Sequence, residues 1–303
     1  MNEKKAYMGG RIVSIERARL SPLDRGLNYG DGLFETIKAV EGRAQHLKDH
    51  LDRFSRGARA LGFSKKSIAP LLKDIHSGAI EKLLKANGLA IGDKTACVKI
   101  VVTRGPSERG LLPASTPAPS FIMTAGEVDE KAMVRLRRKG VNAIISIGPA
   151  PALPGVKTLN CLPGVLARMA AKKAGVEEAI FTGHDGELLE ATGANLFIVE
   201  KGVVITPPVN GDPLGPGVLP GVTRKTVIAL AGALSIRLMA QRLHREDLKR
   251  CAEAFLTGSV RGIVPLVEVD GAPIGDGTPG PVTRALQKTL HPKEWGTGGG
   301  AQS

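Results

Sequence analysis

PALPGVKTLNCLPGV, residues 151–165, sets Lys157 between Val156 and Leu159, with prolines at 151, 154 and 163 and no acidic residue within ten positions on either side. Prolines impose turn or extended backbone, so this lysine lies on an irregular stretch just ahead of a helical pattern. An ordinary loop lysine lays its methylene stem along apolar surface and keeps its ammonium in water. Held among apolar groups it gives up its charge more readily, and the neutral amine adds to a carbonyl as a Schiff base. The rest of the chain decides between these readings, because it supplies an anion site and an acid.

Length and composition set the frame. The chain has 303 residues, 42% hydrophobic and 23% charged, which suits two domains of ordinary size in a globular protein. MNEKKAYMGG has charges with no apolar run behind them, so no secretory leader is expected, and no stretch approaches a membrane span. Cys97, Cys161 and Cys251 lie far apart without metal-ligand spacing, which fits a reducing cytoplasm and no metal. The net charge of +13 raises the question of nucleic acid. The basic residues are dispersed, however, and aromatics are only 3%, with no stacking platform, helix-turn-helix or zinc pattern. Steering of a small anionic amine substrate is the simpler reading, with neither nucleic acid nor membrane as partner.

Periodicity divides the chain. Residues 46–62 place Leu47, Leu51, Phe54, Ala58 and Leu61 at helical spacing, and 64–88 carry a second amphipathic pattern that stops at Asn87-Gly88. ACVKIVVT (96–103) and SFIMTA (120–125) read as strands. Beyond the polar stretch GEVDEKA (126–132), VRLRR and VNAIISI are expected as strands and 162–175 as a helix closed by Gly175. Strand patterns joined by Asp185-Gly186 and Lys201-Gly202 turns follow, then a helix at 223–234 and strands around AFLTG and VPLVEV. This irregular mixture points to an α+β fold rather than a doubly wound sheet. The expected organisation is a small N-terminal α/β domain at 1–125, a linker at 126–132, a large C-terminal domain at 133–291 and a flexible tail at 292–303.

Several segments suit a phosphate and a ring. In VLPGVTRKTVIAL (218–230), Pro220-Gly221 turns the chain and Val222 and Thr223 open a helix, whose first amides and dipole attract an anion. Plain capping by Thr223 is the alternative. Arg53, beside Phe54 at the edge of an apolar stripe, suits an inward-facing phosphate clamp. Thr257-Gly258-Ser259 offers hydroxyls and an amide at a strand end. Glu190 ends the strand GELLE before the small-residue loop ATGAN, where an acid can keep a pyridine nitrogen protonated. The glycines of GDGLFE and GDPLGPG do not sit between strand and helix as a dinucleotide fingerprint requires, and HLKDH lacks the glutamate of a zinc-protease helix.

Seven blocks in order, DRGLNYGDGLFET (24–36), HLDRF (50–54), VKTLN (156–160), EATGANLFIV (190–199), LPGVTR (219–224), FLTGSVRGIVPL (255–266) and GPVTRAL (280–286), resemble the fold-type IV pyridoxal-phosphate enzymes. That family holds branched-chain aminotransferases, D-amino-acid aminotransferases and 4-amino-4-deoxychorismate lyases. The resemblance implies two α/β domains with pyridoxal 5'-phosphate between them, and a homodimer whose partner completes the site. It implies that Lys157 carries the cofactor and that Glu190 faces the pyridine nitrogen. It further implies that Arg53, Val222, Thr223 and Ser259 bind the phosphate, that Leu219 packs on the ring and that Phe34 lines the substrate pocket.

For the reaction, Ser259-Val260-Arg261-Gly262 stands where branched-chain enzymes usually have Thr-Ala-Ala-Glu, and resembles the lyases. TRGPSERGLL (103–112) is similar to the lyase segment whose arginine reaches a substrate carboxylate, which implicates Arg109 together with Arg261. Leu111 replaces the histidine that D-amino-acid aminotransferases often have. The expectation is therefore an aminodeoxychorismate lyase of folate-precursor synthesis, releasing 4-aminobenzoate and pyruvate, with a branched-chain or D-amino-acid transaminase using 2-oxoglutarate as the alternative.

Overall fold

Alternation of apolar and polar residues in the first third of the chain becomes an antiparallel sheet. The computed structural model describes residues 3–108, 110–115, 117–148, 150–209 and 217–295. Two units separate by their contacts: residues 1–129 with 156–160, and residues 130–155 with 161–303. Residues 156–160 thus go with the first unit, not with the 133–291 stretch expected to hold them.

The first unit runs β1 (Lys5–Met8), β2 (Arg11–Ser14), α1 (Arg25–Tyr29), β3 (Gly32–Val40), β4 (Arg43–Ala44), α2 (Leu47–Ala60), α3 (Lys65–His76), α4 (Ala79–Ala86), β5 (Thr95–Thr103) and β6 (Ser120–Glu127). The described strands pair antiparallel in the order β2-β1-β6-β5-β3-β4. Leu33, Ile37, Val98 and Ile100 pack with Phe54, Ile80, Leu83 and Leu84 of the helices in one core. The amphipathic run 64–88 is not one helix. It breaks at Ser77-Gly78, where Gly78 takes φ +84°, a conformation that glycine adopts without Cβ strain.

The second unit runs α5 (Glu130–Lys139), β7 (Val141–Ile145), α6 (Leu162–Lys173), β8 (Glu178–Thr182), β9 (Leu188–Ala191), β10 (Ala194–Glu200), β11 (Val203–Thr206), α7 (Val222–Ala233), β12 (Leu238–Ala240), α8 (Arg245–Arg250), β13 (Glu253–Gly258), β14 (Gly262–Val269), β15 (Ala272–Pro273) and α9 (Pro281–Leu290). The pairing order β10-β13-β14-β7-β8-β9 returns from β9 to β10, so these strands close on themselves. Leu196, Ile198, Leu256 and Val264 fill the interior. The alternate positions Phe197, Val199 and Phe255 face outward against Val227 and Leu286, with Phe197 and Phe255 stacked at 4.8 Å.

VRLRR is helix, not the expected strand. Buried Arg137 ion-pairs with Glu130, two helical turns back, and with Glu294 at 2.7 Å, so the basic run is tied inward at its centre. Glu294 lies in a 3-10 turn, Pro292–Trp295, within the stretch expected to be tail; residues 296–303 lie outside the described residues. No described helix is long and apolar enough to cross a membrane.

Candidate active site

In the first unit, residues 156–160 lie along the start of β3. Phe34 N donates to Lys157 O at 2.9 Å, and Leu159 N donates to Gly32 O at 3.0 Å. Leu33 and Thr158 form an isolated antiparallel bridge. This pairing puts the Lys157 ammonium 4.4 Å from the Phe34 ring centroid, with both side chains half-buried. An apolar ring face beside a lysine amine is the environment its sequence context predicts.

Arg53 is buried on α2, one turn beyond buried His50. Its Nε and Nη2 donate to the Glu35 carboxylate at 2.9 and 2.7 Å, and His50 Nδ1 lies 2.8 Å from Glu35 Oε2. Burial alone would push the Glu35 carboxyl up. The hydrogen bonds and charges of Arg53 and His50 outweigh it and hold the group below its ordinary value. Arg53 therefore faces inward as its position on the helix stripe predicted. Glu35 and His50 escaped the sequence reading, although His50 and Arg53 stand three residues apart on one helix face.

In the second unit, the register places Glu190 opposite Asn195 and Asn195 opposite Thr257, so all three stand on one outward face of β9, β10 and β13. Asn195 Nδ2 donates to Glu190 Oε2 at 3.1 Å and to Leu219 O at 2.8 Å, and Leu219 N donates to the same carboxylate at 3.2 Å. Next along the chain, Gly221 precedes α7, whose start has no side-chain cap. A Cβ on Gly221 would come 2.0 Å from Asn195 Oδ1, so glycine is required for this approach. Thr223 is half-buried in the first turn of α7, and the capping role open to it is not taken. Thr257 Oγ1 is buried and makes no hydrogen bond among the described residues. Ser259 follows it in the β13–β14 turn.

These features fit pyridoxal phosphate. A helix start with no side-chain cap, a buried hydroxyl with no partner among the described residues and a nearby serine suit a phosphate. A carboxylate on the same face suits a pyridinium nitrogen. Of the residues singled out from the sequence, Phe34, Arg53 and Lys157 lie in the first unit, and Glu190, Leu219, Val222, Thr223 and Ser259 in the second. If Ser259 binds the phosphate, Ser259→Ala should weaken cofactor affinity about tenfold, the cost of one hydrogen bond to a charged group, in an equilibrium titration of the apoprotein. Unchanged affinity would remove Ser259 from the set.

Arg261 is held. Its Nη1 donates to Glu178 at 2.9 Å, Arg168 Nη1 lies 2.9 Å from the same oxygen, and Thr192 bonds the other oxygen. Arg137 also donates to Arg261 O at 3.1 Å. Burial would raise the fully buried Glu178 carboxyl, but Thr192, Arg261 and Arg168 together hold it below its ordinary value. Arg109 lies outside the described residues.

Comparison with known proteins agrees with this geometry. The family model for amino-transferase class IV matches residues 32–269, and the chain belongs to that family. It is 35% identical over 298 residues to a putative branched-chain-amino-acid aminotransferase of Methanocaldococcus jannaschii, covering 96% of this chain and 98% of that protein. It is 30% identical over 285 residues to a D-alanine aminotransferase of Staphylococcus epidermidis, covering 94% and 95%. Among solved structures, a T.th. branched-chain amino acid aminotransferase with pyridoxamine 5'-phosphate superposes with a TM-score of 0.82 at 29% identity, over 98% of this chain and 96% of that one. The 4-amino-4-deoxychorismate lyase of Pseudomonas aeruginosa gives 0.75 at 28% identity, over 95% and 98%. The protein is a pyridoxal-phosphate-dependent enzyme with the two-unit fold-type IV architecture.

Proposed function

We propose that the protein is an amino-acid aminotransferase that moves the amino group of an apolar, branched-chain L-amino acid to 2-oxoglutarate. The observation that carries this choice over the lyase is the ion pair between Arg261 and buried Glu178. The lyase expectation used Arg261 as a substrate-carboxylate contact. Arg261 Nη1 is committed to Glu178, which Arg168 and Thr192 also bind, so its position is set by this buried acid rather than by a substrate carboxylate. The branched-chain relative and the cofactor-bearing branched-chain structure support the same choice.

When bound, pyridoxal phosphate supplies a carbonyl for amines and a ring that accepts electrons. Lys157 Nζ holds the cofactor between turnovers and takes the proton leaving the amine-bearing carbon of the substrate. The Glu190 carboxylate holds a proton on the ring nitrogen. Arg53, Ser259 and the Val222 and Thr223 amides grip the phosphate, Leu219 packs on the ring, and Phe34 offers the substrate an apolar wall.

The test compares three mixtures: L-leucine with 2-oxoglutarate, D-alanine with 2-oxoglutarate, and aminodeoxychorismate alone. Repeated turnover is expected in the first, stopping after one turnover when the keto acid is withheld. Repeated release of 4-aminobenzoate from the third without any keto acid would reinstate the lyase.

The homodimer belongs to the same proposal. Leu162, Val165, Leu166 and Met169 line one face of α6 at helical spacing, and each is at least half exposed. Exposed apolar stripes of this kind mark association surfaces. Leu166→Glu with Met169→Glu should shift the mass in solution from dimer to monomer by light scattering. A dimer that survives both changes does not use this face. The three free cysteines fit a reducing cytoplasm.

A further inference from the structure

We propose that Asn195 is a positioning residue that sets the ring-nitrogen acid and the start of the phosphate-binding helix in one frame. The inference rests on the reading of Glu190 as that acid. Asn195 is buried, and its two amide hydrogens serve two acceptors: Glu190 Oε2 at 3.1 Å and Leu219 O at 2.8 Å. Because Leu219 N donates to the same Glu190 oxygen at 3.2 Å, the amide, the carboxylate and the peptide group of Leu219 form a closed circuit of hydrogen bonds. The other end of the amide abuts Gly221, where a Cβ would stand 2.0 Å from Asn195 Oδ1. Gly221 is the residue immediately before α7. One side chain therefore fixes the acid, the backbone of the ring-packing residue and the bend that opens the helix.

The amide chemistry follows from the partners. Both ligands of Nδ2 are acceptors, so the position needs a double donor, and the Gly221 contact limits its length. Aspartate has the same shape and no donor. Asn195→Asp removes both bonds and sets a second carboxylate against Glu190, where like charges cannot both stay ionised without cost. A residue that only fills space would tolerate this isosteric change better than truncation to alanine. A donor relay tolerates it worse.

The test measures pyridoxal-phosphate affinity of the purified protein, the absorption maximum of the bound cofactor, and thermal midpoints of Asn195→Asp, Asn195→Ala, Asn195→Ser and Glu190→Gln. Asn195→Asp should weaken cofactor binding about tenfold or more, Asn195→Ala less, and Asn195→Ser, which keeps one donor, least. The thermal midpoints control for folding. In a Glu190→Gln background, Asn195→Asp should cost less than it does in wild type, because the neutral side chain at 190 can donate to the introduced carboxylate while Leu219 O still lacks its donor; the cycle thereby isolates the pairing with Glu190. Glu190→Gln alone tests the underlying reading: if it alters neither the absorption maximum nor turnover, Glu190 is not the ring-nitrogen acid. If Glu190→Gln alters both while Asn195→Asp binds cofactor more tightly than Asn195→Ala, the Glu190 reading stands and the positioning role of Asn195 is overturned.

Discussion

Lys157→Ala is expected to reduce turnover on the order of 10²- to 10⁴-fold, the contribution of a positioned proton-transfer group, and to abolish covalent fixation of the cofactor by borohydride. The structure explains why no neighbour should substitute. Residues 156–160 are pinned to β3 by two backbone hydrogen bonds, at 2.9 and 3.0 Å, so Nζ is delivered to the Phe34 ring from a fixed base. A rival does stand close: Lys99 Nζ lies 4.8 Å from the same ring centroid. Lys99 is an exposed residue on β5, however, whereas Lys157 is half-buried. Borohydride should therefore label the peptide containing Lys157, and Lys99→Ala should leave the label in place. A label on the Lys99 peptide would overturn the assignment, and so would turnover within tenfold of wild type in Lys157→Ala.

What the sequence could and could not yield follows from the range of each interaction. Helices α2, α6 and α7 were readable because their burial repeats within a turn or two, β5 because apolar and polar residues alternate along it, and β8, β10 and β13 as short apolar runs buried along almost their whole length. Lys157 was legible from its local poverty of acids. The pairing of its backbone with Phe34 was not, since those residues are far apart in sequence and nothing local announces the bridge. The same limit hid Glu35 and Glu178. A buried acid reads as apolar-strand interruption until its arginines arrive, Arg53 from α2 in one case and Arg168 with Arg261 in the other. Arg261 shows the consequence: its motif suggested a substrate contact, and the partner that holds it lies on β8. VRLRR failed for a related reason. Alternation of valine, leucine and arginine fits a strand, but the acids at 130 and 294 let Arg137 be buried on a helix.

Glu35→Gln should produce the largest loss of stability among the site variants, about 3–5 kcal/mol at neutral pH, because it leaves Arg53 charged and buried without its counter-ion. The side chains of Glu35, His50 and Arg53 are 1%, 2% and 7% exposed, so solvent cannot replace the lost partner. The effect has a definite pH dependence. The folded-state carboxyl sits below its ordinary value of 4.5, so the ion pair contributes fully above that value and is lost as pH falls through the lower, folded one. Wild type and Glu35→Gln should accordingly differ most near neutrality and converge under acid conditions, when wild-type Glu35 is itself protonated. Urea unfolding at pH 7 and again below pH 4 measures both differences. An equal gap at the two pH values would mean that the charge of Glu35 contributes nothing and that its volume alone matters. If Arg53 binds the phosphate as proposed, cofactor affinity should fall in parallel at neutral pH, since its guanidinium is oriented by two bonds to this one carboxylate.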